Sequence, residues 1–251
     1  MYFQNFPRTP YEFDIGEAVF QDITKYAEVI DQVRDNTAFY QDYIIQHGER
    51  PDHVAYRLYN NPQYHWVLYL LNPQLRESGW PMSDQDVLLK VKKDYPHTVL
   101  NVEDDISMTF KVGQTVTGQR SGAQGTIVSK NTDLGQLVIE TSDSFKNDGA
   151  VESIISLVGD EYEQINAVSA VPQYVATRHY LQDDDVVTST ADIIPPPPGW
   201  PEDTDESYSP AVPVTYYEYY VKANNQLKQI SVIRPDAISS VVSAVIEAIR
   251  S

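Results

Sequence analysis

Residues 50 to 77, RPDHVAYRLYNNPQYHWVLYLLNPQLRE, constrain the fold more tightly than any other stretch of this chain. Pro51 suits the first turn of a helix, where its missing N–H would have found no partner, and Val54, Ala55 and Leu58 then recur at three- and four-residue spacing. That pattern predicts a helix ending near Tyr59. Asn60-Asn61 tolerates left-handed backbone, Pro62 restarts a helix striped by Trp66, Val67, Leu70 and Leu71, and Asn72-Pro73 stops it. FYQDYII at 39 to 45, closed by the His47-Gly48 turn, reads as a strand, and so does VLLKV at 87 to 91. The predicted order is strand, helix, helix, strand.

The run from Arg50 to Arg76 resembles a LysM domain, in which two helices sit on one side of a two-stranded antiparallel sheet. Three separated blocks carry a further resemblance: MYFQNFP at the start, VAYRLYNNPQYHWVLYLLN with the following Gly79-Trp80, and YYEYYVKANNQLKQISVIRPDAISSVV near the end. Together they resemble the small baseplate wedge protein of contractile-tailed bacteriophages. The resemblance implies a non-enzymatic virion subunit, made in the host cytoplasm and built into the tail baseplate. It also implies other wedge proteins, the sheath-initiator subunit and the central hub as partners, with six copies per baseplate. The rival reading is a LysM-type module for peptidoglycan or chitin. Its sugar groove would lie between GERPD at 48 to 52 and NPQLRESGWP at 72 to 81, with Trp80 stacked on a sugar ring.

Composition narrows the function classes. Eighteen Lys and Arg against 36 Asp and Glu give a net charge of −18, which opposes binding to nucleic acid or an anionic membrane. The absence of cysteine excludes disulfides and thiolate metal sites. No apolar run reaches the ~20 residues a membrane span needs, and the first residues lack the pattern of a signal peptide. Eighteen tyrosines, clustered at 56 to 69 and 216 to 220, fit a protein that packs or binds through aromatic surface.

The rest of the chain predicts an α+β protein in parts. Residues 1 to 38 read as a short strand or arm, with Met1 to Pro10 extended against another surface or folded back on its own core, and a short helix near 27 to 35. Residues 39 to 106 form the LysM-like core. Alternating strands with Gly and Asn turns from 107 to 170 predict an inserted small barrel or sandwich, with a pseudo-repeat in SFKNDGAVES at 144 to 153. Gly113, Gly118, Gly122 and Gly125 read as β-turn glycines, since no phosphate-loop pattern accompanies them. Residues 171 to 214 hold an acidic strap whose four prolines impose polyproline II, a plain linker or a wrapping strap that docks through Trp200. From 215 to 251 the pattern is helix, strand, helix: Thr215 and Glu218 make a capping box, KQISVI alternates as a strand, and Ile238 to Ile249 repeat as an apolar stripe. That amphipathic C-terminal helix packs within the chain or on another subunit.

No chemistry-bearing constellation emerges. His47, His53, His65, His97 and His179 match no metal spacing, Ser121 is not in a nucleophile elbow, and the acids at 103 to 105 read as a solvated turn. No cofactor is expected. The residues predicted to make contacts with partners are Tyr56, Tyr59, Tyr64, Trp66, Trp80 and Trp200, with Val242, Ile246 and Ile249 on the last helix.

Overall fold

The computed structural model describes residues 8–13, 16–21, 39–158, 161–197 and 208–250, and the chain divides into two units. The first combines residues 1–84 with 223–251; the second is the intervening run 85–222. The predicted helix at 27 to 35 and Trp200 lie outside the described residues.

In the first unit, β1 (Arg8–Phe13) and β2 (Gly16–Gln21) pair antiparallel as a hairpin, where a short strand or an arm was expected. β3 (Tyr40–Ile44) follows, then α1 (Pro51–Tyr59) with Pro51 in its first turn. Asn60 ends α1 in the left-handed region at φ 53°, its N–H donating to the Tyr56 carbonyl. The Asn61 side chain accepts from the Gln63 N–H and opens a 3₁₀ turn, Pro62–Tyr64, that leads into α2 (His65–Leu71). Beyond Asn72 the chain does not run as a loop. Pro73 starts α3 (Pro73–Ser78), which stops at Gly79 with φ 86°.

The strand expected at 87 to 91 is a helix. α4 (Asp84–Asp94) buries Val87 and Val91, one turn apart, and exposes Leu89. Acids in its first turn and Lys92 and Lys93 in its last complement the helix dipole, a signal outweighing a short apolar run that fits either element. The partner of β3 is instead β13 (Gln229–Ile233), reached after the whole second unit. Both faces of this two-stranded sheet are covered. Tyr43, Ile230 and Val232 pack with Val54, Leu68, Leu75 and Trp80, whereas Tyr40 and Ile233 pack with Val67, Leu71, Ile238 and Val242.

The second unit contains a closed barrel of six antiparallel strands: β4 (Thr98–Val102), β5 (Thr115–Gly118), β6 (Gln124–Asn131), β7 (Gln136–Glu140), β8 (Glu152–Val158) and β9 (Glu161–Pro172), in the order β4-β7-β6-β5-β8-β9. It begins before residue 107, because β4 closes the ring between β7 and β9. Leu100, Phe110, Val116, Ile127, Leu137, Ile139 and Ile154 fill it, and Phe145 from the 144 to 153 run joins them. Gly113 and Gly122 take the positive φ of turns, but Gly118 and Gly125 lie in strands, where a Cβ would run into Glu152 and Ile139.

The described residues of the run at 171 to 214 form strands where a strap was expected. β10 (Thr177–Gln182) is flanked by β11 (Asp185–Val187) and β12 (Val212–Thr215) in a three-stranded sheet. α5 (Tyr216–Leu227) then starts on the predicted capping box: the Glu218 carboxylate accepts from the Thr215 N–H at 2.8 Å, and the Thr215 hydroxyl accepts from the Glu218 N–H at 3.1 Å. The chain closes with α6 (Ile238–Arg250).

Candidate interaction surface

The two sequence pieces of the first unit are joined by two buried asparagines. In the β3–β13 register the backbone bonds Ile45 N–H to Lys228 O and Arg234 N–H to Phe39 O fix the parity, so the peptide groups of Ser231 point away from β3. Asn72 meets them there. Its Nδ2 donates to Ser231 O at 2.8 Å and to Leu68 O at 2.7 Å, and its Oδ1 accepts from Ser231 N–H at 2.9 Å. The side-chain amide thus stands in for a third strand. Asn224 repeats the device on Met82, accepting from its N–H at 2.8 Å and donating to its carbonyl at 2.9 Å. Both asparagines are buried, and neither leaves its amide without a partner.

The 48 to 52 turn is held as firmly. The Glu49 carboxylate accepts from Arg57 at 2.6 Å, from the Tyr43 hydroxyl at 3.1 Å and from the Gln46 N–H at 3.0 Å. Its carbonyl takes the indole N–H of Trp80 at 2.6 Å. That bond ties together the two loops between which a sugar groove was expected, and the Trp80 ring lies 5.8 Å from Tyr69 inside the core. A separate groove of about 630 Å³ runs beside the sheet, lined by Asp42, Ile44, Pro73, Gln74, Gln229 and Ser231 among others.

The predicted contact residues divide by burial. Tyr56 is 58% exposed on α1. Tyr59 packs against both clusters of the first unit, 6.3 Å from the Tyr64 ring, and its buried hydroxyl has no hydrogen-bond partner among the described residues. Burial pushes the Tyr59 pKa well up, and the neighbouring Ile233 backbone offsets only part of this. Trp66 and Ile246 are partly buried against the cluster that contains Val242. The inner stripe of α6 therefore packs within the chain. Ile249 lies in α6, and its side chain is outside the described residues.

The β1–β2 hairpin has a surface that the residue patterns did not single out. Strand alternation puts Tyr11, Phe13 and Phe20 on one face, with ring centroids 5.0 and 5.8 Å apart, and each ring is about half exposed or more. Arg8, Glu12 and Glu17 take the other face. A two-stranded hairpin is marginal alone in water, and contiguous exposed aromatics of this kind mark contact surfaces. The signal was present in the alternation of RTPYEF and GEAVFQ.

Among the described residues no group of three or more acidic or histidine side chains is placed to hold a metal, and no helix is long and apolar enough to cross a membrane. Comparison with known proteins gives one family. Residues 16–95 match the phage family described as Base plate wedge protein 53, over about a third of the 251 residues. No curated protein matches. The matched segment runs from β2 through the end of α4, and it supports a phage baseplate wedge protein with a structural role in the virion tail, associated with other baseplate proteins.

Proposed function

We propose that the chain is a structural subunit of a contractile-tail baseplate wedge, bridging neighbouring wedge subunits near the central hub during assembly. The match over residues 16–95 carries this reading, because it falls on the helical core of the first unit and on the strand of the exposed hairpin. In this reading the core is LysM-like, with its second strand supplied by β13. Its partners are other wedge proteins, the sheath-initiator subunit and the hub, with six copies in each baseplate. The aromatic face of the hairpin becomes buried on assembly, which supplies the stability that two strands lack alone.

Sugar binding is the weaker use of the same core, since the Trp80 indole N–H and one approach to its ring are already engaged by Glu49 and Tyr69. Co-expression with the remaining wedge proteins of the same phage tests the proposal. The full chain should co-purify in a stoichiometric complex, and electron microscopy should place it between adjacent wedges. A triple change, Tyr11→Ser with Phe13→Ser and Phe20→Ser, should weaken incorporation while leaving the barrel folded. A folded full chain that never enters wedge complexes, together with saturable quenching of tryptophan fluorescence by chito-oligosaccharide, would instead establish the sugar reading.

A further inference from the structure

Two cations of the second unit stand together beside a buried histidine, and among the described residues neither has a carboxylate partner. Among the described residues Arg50, Arg57, Lys90, Arg120, Lys228 and Arg234 each pair with an acid, although bases are outnumbered 18 to 36 in the sequence. Lys92, Lys93, Lys111, Lys130 and Lys146 of the second unit do not, and neither do Arg178 and Lys222. The last two meet around His179, where β10 passes the start of α5; the Tyr216 N–H donates to Ala176 O there at 3.2 Å.

Arg178 is already fixed in place. Its guanidinium carbon stands 3.8 Å from the centroid of the Tyr219 ring, and its Nη1 lies 3.2 Å from His179 Nδ1. A guanidinium can only donate, so Nδ1 is the acceptor and the imidazole proton sits on Nε2. Burial holds the His179 pKa below its ordinary value, and the charges of Arg178 and Lys222 lower it further, which keeps the ring neutral and accepting. Tyr219 is 38% exposed, and exposed Lys222 follows it by three residues on the same face of α5. The guanidinium retains donors beyond the one spent on His179, in the planar fork that matches a carboxylate.

We propose that Arg178, Tyr219 and Lys222 form a receptor for the carboxylates of an acidic segment on a partner protein. One carboxylate sits bidentate on Arg178 and a second acid is drawn to Lys222. Because stacking on Tyr219 has already restricted the arginine, little side-chain entropy remains to be lost on binding. The net charge of −18 repels a nucleic-acid backbone as a whole, whereas a short acidic peptide needs only the local field. The inference concerns a surface of the second unit and holds whether or not the chain works in a baseplate.

The test is fluorescence anisotropy of labelled hexaglutamate with the full chain in buffer of physiological ionic strength, where the repulsion of the whole chain is screened, with hexalysine and a short single-stranded DNA as comparison probes. Saturable binding of hexaglutamate is expected, reduced at least about tenfold in Arg178→Gln and in Lys222→Glu, as loss of a charge-assisted contact requires. Lys222 is exposed, so its variant stays folded even if Arg178→Gln does not. In wild type, NMR signals of His179 and Tyr219 should move with the bound fraction. Absence of saturable hexaglutamate binding, equal binding by the Lys222→Glu variant, or tighter binding of the DNA each overturns the proposal.

Discussion

Replacing Asn72 by alanine should weaken the first unit more than any surface change, and the size of the effect can be worked from its contacts. The substitution removes three short hydrogen bonds, to Leu68 O at 2.7 Å, Ser231 O at 2.8 Å and Ser231 N–H at 2.9 Å, and a longer one from Gln74 Nε2 at 3.4 Å. Each is worth roughly 0.5–1.5 kcal/mol net, and a buried group left without a partner loses more. Asn72 is only 2% exposed, so water reaches its Leu68 contact poorly, but half-buried Ser231 recovers some solvation. The expected loss is about 3 kcal/mol. Urea titration followed by tryptophan fluorescence reads this directly, because Trp66 and Trp80 both belong to the first unit. With a urea slope of roughly 2 kcal/mol per molar, the midpoint should fall by about 1.5 M. Asn72→Asp keeps an acceptor for the Ser231 N–H and sets a carboxylate oxygen against two carbonyls. It should be at least as damaging at neutral pH. Contact with those carbonyls raises the folded-state pKa of the introduced acid, so the folded form binds the proton more tightly and part of the loss should return as pH falls through that value. Asn225→Ala, an exposed change, serves as the reference. A shift for Asn72→Ala no larger than that of Asn225→Ala would refute the clasp as a stabilising device.

Lys130 donates to three carbonyls, Ile106 O at 2.8 Å, Ser107 O at 2.9 Å and Thr109 O at 3.1 Å; Lys130→Met keeps the stem and should lower barrel stability by about 2 kcal/mol in thermal unfolding followed by near-ultraviolet circular dichroism. Thr215→Ala removes one half of the capping box and should cost about 1 kcal/mol, measured by hydrogen exchange in the first turn of α5. Hydrogen bonding from Arg120, with further help from the Ala150 N–H, holds the Asp148 carboxyl below its ordinary pKa. The folded-state value is depressed, so any stabilisation is present above the unfolded pKa and is lost as pH falls through the folded one. NMR titration should find Asp148 below the usual aspartate range, and Arg120→Ala should return it upward.

α1, α2 and the start of α5 are legible in the sequence because their punctuation is local. Pro51, Asn60, Pro62 and the Thr215–Glu218 pair each fix backbone geometry within a turn, and each acts where the sequence places it. The pairing of β3 was not legible. VLLKV and KQISVI are both short and apolar enough to be strands, and only tertiary contact decides which one joins YQDYI. Asn72 acts as the stop signal its sequence context predicts, but its pairing with Ser231 spans a sequence separation of 159, beyond any local pattern. The barrel was visible in its alternation, yet β4 was assigned elsewhere because the sixth strand precedes the glycine-rich run that marks the other five. On the interaction side, the tyrosine cluster at 216 to 220 was seen as composition. What makes Tyr219 a platform is Arg178, which lies on a different element.

The discontinuous first unit can tolerate so large an insertion because each unit holds its own pair of crossing segments together. An unstructured loop of ~140 residues would add only roughly 3 kcal/mol of closure entropy over a four-residue turn, since that entropy grows with the logarithm of length. A folded insertion adds less, provided its ends are already close. In the second unit they are: the Tyr95 ring on the inbound side lies 4.4 Å from Tyr216 and 5.9 Å from Tyr220 on the outbound side, and Lys90 sits 5.7 Å above Tyr220. The Tyr95 and Tyr220 hydroxyls are 3.1 Å apart, and that bond, aided by burial, pushes the Tyr95 pKa up to about 12. The Tyr95 hydroxyl therefore stays neutral through the physiological range. Within the first unit Asn224 grips both polar groups of the Met82 peptide, so the two cut ends there are held together as well. The insertion therefore leaves the β3–β13 pairing nearly as accessible to the chain as a short turn would. Tyrosines and asparagines at the crossing points, rather than any feature of the barrel interior, make this possible.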